Sequence, residues 1–385
     1  MMGRLDWEPH AGRLASEVTD PMSRWRPLVA STPRHVFVPR WWQWTDPGGW
    51  AACDGEAGEQ RWLSAAYSDR TLVTRLGPAH ADHARSGDHP CGRPTSSATQ
   101  PGLVVQMYRH AGLTGSTDIL DVGTGSGYGC ALLARRLGDH RVTSVDVDDY
   151  QVKAAAERLA GIGLHPDIAV CDATGRLPGS YDRIVSMMSV APIPASWLAA
   201  LRPGGRLVTV LAGTGLIVTA DKTPDGGAAG RTEWDRAGFM AARSGPDYPP
   251  RLLDEFPGAR EADGEQVSIG RYPVLRISSA WELWSMLGVT VPGVQDHYEV
   301  SADGERTAWL LHPDGSWTRA AGTAVGLPVV HQSGRRRLWD MVDDIRYAWL
   351  RDGKLPAYGA DVAITPDGSI QLTRGRWQAA IPAAG

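Results

Sequence analysis

Apolar positions along the chain follow two rhythms, and the sharpest switch between them lies between Asp118 and Asp146. Ile119-Leu120-Asp121-Val122 is a short, mostly apolar run, and Gly123-Thr124-Gly125-Ser126-Gly127 follows it directly. Tyr128 to Leu137 then sets Leu132, Leu133 and Leu137 on one helical face, and Arg141 to Asp146 is a β-branched run closed by an acid. The order strand, glycine turn, helix, strand predicts one right-handed βαβ unit. The same alternation continues with a helix over Asp149 to Ala160 and strands at Ile168 to Val170 and Tyr181 to Met187. A helix opened by Pro194 comes next, then an Arg202-Pro203-Gly204-Gly205 turn and a fifth strand, Arg206 to Leu211. Alternating strands and helices predict an α/β fold with a doubly wound, Rossmann-like parallel sheet, ligands lying at the carboxyl ends of its strands.

The flanks are patterned differently. Leu5, Trp7, Leu14, Val18, Met22, Trp25 and Leu28 are spaced as in short helices laid on a core. Trp41 to Trp62 is a tryptophan-rich, glycine-broken stretch expected to be a loop, and residues 63 to 76 fit either a helix or a strand. Gly77 to Pro94 reads as a polar loop, and Pro101 suits the first turn of an apolar helix that carries Leu103, Val104 and Met107. Beyond Ala212, Gly215 to Asp221 and Gly230 to Arg236 predict a hairpin turned at Pro224-Asp225-Gly226-Gly227. A proline- and glycine-rich loop leads to helix-like stretches at Ala280 to Leu287 and Arg336 to Leu350, with hairpin signals at Pro313-Asp314-Gly315 and Pro366-Asp367-Gly368. The expected division is a helical cap with substrate loops over 1–94, a nucleotide-type domain over 95–240 and a separate α+β piece over 265–385.

Composition narrows the class. At 385 residues the chain is too long for one ordinary domain. A formal charge of -4 gives no electrostatic case for nucleic acid or an anionic membrane. Cys53, Cys91, Cys130 and Cys171 form no C-x-x-C pair, which points to a reducing cytoplasm rather than a disulfide framework. No run approaches the roughly 18 apolar residues of a membrane span. The expectation is a cytoplasmic monomer without nucleic-acid or membrane partners. Seven of the 16 tryptophans precede Thr95 and eight follow Ala212. Indoles so placed either bind a peptide or fill the cores of the flanking pieces.

The candidate chemistry centres on the glycine turn. Glycines let a ligand approach the backbone at a helix N-terminus, and an acid closing the second strand can accept both hydroxyls of a ribose. Dinucleotide enzymes share this layout, but their fingerprint is G-x-G-x-x-G, and here the third glycine comes one residue early. Asp121, two residues before the first glycine, would repel a pyrophosphate but suits an ammonium and a sulfonium, which favours S-adenosylmethionine. The hydroxyl cluster Thr95-Ser96-Ser97-Ala98-Thr99 precedes Pro101, either as a helix cap or as a functional segment. His80 and His83 have ligand-like spacing, yet no second ligand pair lies near them, so no metal is expected.

These residues together resemble the protein-L-isoaspartate O-methyltransferase family. The matching elements are Pro33-Arg34-x-x-Phe37-Val38-Pro39, Thr99-Gln100-Pro101, Asp121 through Tyr128, Asp146, Asp172, the Tyr181-Asp182-x-Ile184 strand, Ile193-Pro194 and Gly204-Gly205. The likeness covers roughly residues 20 to 212. This chain departs from it at Thr99, where serine is usual, and at Asp88 to Pro94, and it continues well past the sheet. In that length it is similar to the branch that tailors ribosomal peptides (graspetides, lanthipeptides, imiditides). The resemblance implies methylation of an aspartate side chain in a modified precursor peptide, the ester closing to aspartimide. Protein repair at isoaspartate is the alternative. It further implies that Thr99 and Ser97 hold the acceptor carboxylate. Asp121 and the Gly123, Thr124, Gly125, Ser126 and Gly127 amides would take the methionine part. Asp146 with Val147 would take the ribose and Asp172 with Ala173 the adenine, with S-adenosylhomocysteine as product.

Overall fold

A computed structural model describes residues 5–46, 49–55, 58–85 and 87–383. Pro47, Gly48, Glu56, Ala57 and Ser86, parts of the expected loops, lie outside the described residues.

The amino-terminal part holds helices α1 (Glu8–Val18), α2 (Arg26–Ser31), α3 (Arg34–Phe37) and α4 (Glu59–Ala66). With them stand strands β1 (Arg40–Thr45), β2 (Gly49–Asp54), β3 (Leu72–Leu76), β4 (Ala79–His80) and β5 (Pro94–Ala98). The expected tryptophan loop is therefore a hairpin. β1 and β2 pair antiparallel from Arg40↔Asp54 to Thr45↔Gly49, and the Trp44 and Trp50 rings meet edge to face at 5.5 Å. Cross-strand aromatic pairs stabilise such ribbons. β5 pairs with β3, so the hydroxyl cluster begins inside the cap's own sheet, and a boundary at residue 94 would cut that sheet.

α5 (Pro101–His110) leads into β6 (Ile119–Val122), α6 (Tyr128–Leu137), β7 (Val142–Asp146), α7 (Asp149–Ala160) and β8 (Asp167–Val170). After these come β9 (Tyr181–Val190), α8 (Ala195–Ala200), β10 (Leu201–Leu211), β11 (Leu216–Lys222) and β12 (Ala228–Arg236). β10, β9, β6, β7 and β8 lie side by side in parallel, in that order. Strand order reverses between β6 and β9, the switch point where open α/β sheets hold ligands. The doubly wound Rossmann-like sheet expected from the alternation is present.

The remaining chain forms α9 (Leu252–Glu255), β13 (Gln266–Ile269), α10 (Trp281–Thr290), β14 (Gln295–Val300), β15 (Arg306–Leu311), β16 (Trp317–Gly322), β17 (Val329–Ser333) and α11 (Leu338–Arg351). It ends with β18 (Asp361–Ile364), β19 (Ile370–Arg374) and β20 (Trp377–Ile381). β13 to β17 make their own antiparallel sheet. β18 to β20 instead extend the central sheet to ten strands through β12, in register from Ala228↔Ile364 to Arg231↔Asp361. The piece expected over 265–385 thus has a sheet of its own but also shares the central sheet and its core. Its Val274, Leu283, Met286 and Leu287 share one buried cluster with Trp197, Leu216, Val362 and Ile370. Apolar burial of this extent is the main favourable term in folding, so this cluster binds the carboxyl-terminal stretch to the central sheet. Among the tryptophans, Trp44 and Trp234 are exposed, while Trp41, Trp42, Trp197, Trp309 and Trp339 are buried. Core filling accounts for most of them.

Candidate functional site

The glycine turn sits over the switch point. Gly123 and Thr124 donate their amides to the Val145 carbonyl at 2.8 and 3.2 Å, which ties the turn to the neighbouring strand β7. A Cβ on Gly125 (φ +51) would stand 3.2 Å from the Ser97 carbonyl oxygen, so this glycine lets the hydroxyl segment close on the turn. Gly123, Thr124, Gly125 and Ser126 line a cleft of about 1220 Å³, part of it open to solvent. Gly127 does not line it, contrary to the sequence expectation. At φ +94 it starts α6, and a Cβ there would meet Ala155 at 3.1 Å and Phe37 at 3.3 Å. Its role is to let α6 pack closely on α7 and on the Pro33–Pro39 element. Thr124 and Ser126 are buried, and the Thr124 hydroxyl faces Ser144 at 2.7 Å rather than the cleft.

Three acids line the same cleft. Asp121 is 1% exposed, and it accepts from the Tyr108 hydroxyl at 3.0 Å and the Ser144 hydroxyl at 2.9 Å. Burial pushes its carboxyl up to about 6, the two hydrogen bonds opposing the rise. No cation pairs with it among the described residues. A buried carboxylate that reaches a cleft without a counter-ion fits a ligand carrying an ammonium group. Asp146 accepts from the Gly125 amide at 2.9 Å and the Asp148 amide at 3.1 Å, and burial raises its carboxyl too. Each oxygen keeps a second lone pair, which a diol could fill. Val147 lines the cleft beside it. Asp172 is exposed and accepts from the Thr174 amide and hydroxyl, while the Ala173 carbonyl is held by the Trp197 indole N–H at 2.7 Å. The residues present therefore suit an amino-acid nucleoside such as S-adenosylmethionine.

The opposite wall is hydroxylic: Thr71, Thr95, Ser96, Ser97 and Thr99. Thr95 donates to the Gly77 carbonyl and Thr74 donates to Ser96. Among the described residues the Ser97 and Thr99 hydroxyls have no protein partner. Neither caps α5. Gln100 holds the N-cap position without a side-chain bond, and Asp69 accepts instead from the Gly102 amide at 2.7 Å.

Arg34 fixes this wall from beneath. Fully buried, it donates to the carbonyls of Ala66 (2.5 Å), Ser68 (3.0 Å), Arg70 (3.0 Å), Ala98 (3.4 Å) and Thr99 (3.3 Å). Burial lowers its guanidinium to about 10, which leaves it charged at neutral pH. Phe37, buried three residues later, packs edge-on to Tyr128 at 5.9 Å. The Pro33–Pro39 element thus ties the hydroxyl wall to the start of α6 beside the glycine turn.

Other lining residues carried no sequence signal: Met187 and Met188 at the end of β9, and Gly238 to Arg243 with Tyr248 beyond β12. The latter stretch has no periodicity, and only its contacts reveal it. His80 and His83 pack on Tyr150 at 4.5 and 4.4 Å, and Asp82 accepts from Tyr150 and Arg158. These contacts tie the cap to α7.

Residues 88–234 match the family described as Protein-L-isoaspartate(D-aspartate) O-methyltransferase. A protein-L-isoaspartate O-methyltransferase of Anaeromyxobacter dehalogenans strain 2CP-C is 37% identical over 151 residues, which is 38% of this chain and 62% of that protein. Its counterpart in Rhodopseudomonas palustris is 37% identical over 29% of this chain and 51% of its own length. The chain thus spans between half and two thirds of these relatives. The protein of that name from A. dehalogenans strain 2CP-1 is 33% identical, with 68% of its length covered and 41% of this chain. A solved structure titled protein-L-isoaspartate O-methyltransferase superposes over 98% of this chain and 100% of that one, with a TM-score of 0.50 at 15% identity, and shares the fold. With its Arg34-anchored hydroxyl wall and glycine turn inside or beside the matched stretch, the chain belongs to the protein-L-isoaspartate O-methyltransferase family.

Proposed function

We propose that the protein is a carboxyl O-methyltransferase whose cofactor is S-adenosylmethionine and whose acceptor is an aspartate side chain of a modified, ribosomally made peptide. One observation carries the reading: the buried Asp121, with no cation beside it among the described residues, shares one cleft with a glycine turn that meets the Ser97 carbonyl and with the unpartnered Ser97 and Thr99 hydroxyls. When bound, S-adenosylmethionine supplies an electrophilic methyl group and leaves as S-adenosylhomocysteine. Asp121 receives the ammonium, Asp146 with Val147 the ribose, and Asp172 with Ala173 the adenine edge. Ser97 and Thr99 donate to the acceptor carboxylate and hold one oxygen towards the methyl.

The lining favours a carboxylate over other acceptors. No histidine, lysine or glutamate lines the cleft among the described residues, its three aspartates are assigned here to the cofactor, and burial raises Tyr108 and Cys171 further from ionisation. An alcohol or amine must lose a proton on methylation and would want a base there. An aspartate with a pKa near ~3.9 is already ionised, so positioning and water exclusion suffice. The methyl ester then reacts without the enzyme. The next backbone nitrogen attacks its carbonyl, gives up its proton and expels methanol, leaving aspartimide, which water opens to aspartate or isoaspartate.

Chain length supports a dedicated peptide substrate, since the sequence runs on from the matched stretch, which ends at 234, to residue 385. The repair reading, methylation of isoaspartate in damaged proteins, has its own support. The relatives carry that name, and a solved structure of that title superposes over 98% of this chain. A side-by-side assay separates the two. Peptide tailoring expects a cyclised acidic precursor to be methylated far faster than a generic isoaspartyl hexapeptide, and the reverse order would establish repair. In either case Thr99→Ala should keep cofactor affinity by calorimetry while the single-turnover rate falls at least tenfold, about 1.4 kcal/mol. An unchanged rate would leave Thr99 with a backbone role alone.

A further inference from the structure

The cleft has a second wall of opposite character. Met187 and Met188 at the end of β9, with Phe239 and Met240, are half-buried and line it. Met187 approaches the Gly123 side of the turn, where a Cβ would be 3.6 Å from its backbone carbonyl carbon, as Ser97 approaches the Gly125 side. The backbones that carry the hydroxyls and the thioethers thus approach the turn at different glycines, and both groups line the cleft. The segment carrying Phe239 and Met240 is firmly held. Ser189 donates its amide to Met240 O at 2.8 Å and its hydroxyl to Phe239 O at 3.1 Å, and accepts from the Ala242 amide at 2.9 Å. Tyr248 adds a hydroxyl bond to the Ala241 carbonyl at 2.7 Å. This segment lies beyond the matched stretch, which ends at 234.

We propose that Met187, Met188, Phe239 and Met240 form the subsite for the residue beside the acceptor acid, and that they select a peptide with an apolar side chain there. The proposal rests on the reading of the cleft as a peptide carboxyl methyltransferase site. A charged neighbour pressed on this wall would lose its water without gaining a partner, whereas an aliphatic one is favoured by leaving water. Methionine side chains adapt to differently shaped aliphatic groups, so the wall selects by polarity more than by shape. The adenine edge is assigned to Asp172 and Ala173 on the far side of the turn, which leaves this wall to the peptide.

Three labelled acidic peptides, alike except for leucine, glycine or lysine beside the acceptor, test it in both aspartyl and isoaspartyl forms. Binding is measured on the full-length protein saturated with S-adenosylhomocysteine, and methyl transfer is measured separately. The leucine peptide should bind at least tenfold tighter than the other two. The double variant Phe239→Ser, Met240→Ser should lose that preference with S-adenosylhomocysteine affinity unchanged. Equal affinities in the wild type, no binding of any peptide, or a preference that survives in the variant would each overturn the proposal. So would a loss of S-adenosylhomocysteine affinity, which would assign the wall to the cofactor. A leucine preference in binding without methylation of any peptide would keep the subsite and sink the methyl-transfer reading instead.

Discussion

Asp121 is the residue in which burial and chemistry meet most directly. Its carboxyl is raised to about 6 by desolvation, so the folded apo protein holds a proton there that the unfolded chain releases near ~3.9. The sign follows from proton counting. Between those two values the folded state binds more protons, so this group's contribution to stability falls as pH rises and levels off above about 6. Cofactor binding runs the other way, because an ammonium prefers the ionised carboxylate. Affinity for S-adenosylhomocysteine should therefore climb between pH 5 and pH 7 and then flatten, with Asp146, also raised by burial, adding in the same direction. Calorimetry across that range checks it, and Asp121→Asn should lose most of the climb. A flat profile in the wild type would mean the ammonium lies elsewhere. Asp121 and Asp146 were both legible from position, two residues before a glycine turn and at the end of the next strand. Gly127 was not separable from its neighbours by sequence, because spacing alone does not say whether a glycine faces a ligand or a helix.

At the scale of elements, the cofactor half is written locally and the acceptor half is not. β6, α6, β7 and α7 follow from apolar periodicity and punctuation, and their observed bounds lie within a residue of those expected. α5 also follows from Pro101, but its true cap does not. Asp69 reaches the Gly102 amide from 33 residues away in sequence, and a Cβ on Gly102 would stand 2.7 Å from its carboxylate. Losing that cap should cost about 1 kcal/mol, as for other N-terminal caps. Asp69→Ala is thus expected to lower the denaturant midpoint modestly and to loosen the Thr99 segment, seen as faster amide exchange at 102–104. Protection unchanged at those amides would show that Arg34 holds the segment unaided. The tryptophan hairpin was misread as a loop because its strands are short and their pairing, not their composition, defines them.

For the molecule as a whole, the decisive finding is that its last strands return to the central sheet. Val362, Ile364, Ile370, Leu372 and Ile381 are each no more than 3% exposed, and β18 covers the edge of β12. Removing residues 361–383 would open that edge and uncover the core beneath it. The expected result is poor solubility and a melting temperature lower by about 10 °C or more. A melting temperature unchanged by the truncation would restore the picture of a separable carboxyl-terminal domain. Among the described residues no helix is long and apolar enough to cross a membrane.

The sequence by itself determined the parallel sheet, the glycine turn and the acids around it, because strand and helix rhythms and glycine spacing are local properties that survive without neighbours. Tertiary structure decided the rest: the carbonyls gathered on Arg34, the thioether wall at Met187 and Met240, and the return of β18 to β20. Each of those depends on contacts between residues far apart in the chain. No periodicity encodes such contacts, which are fixed only when burial has to satisfy every polar group and fill every void at once.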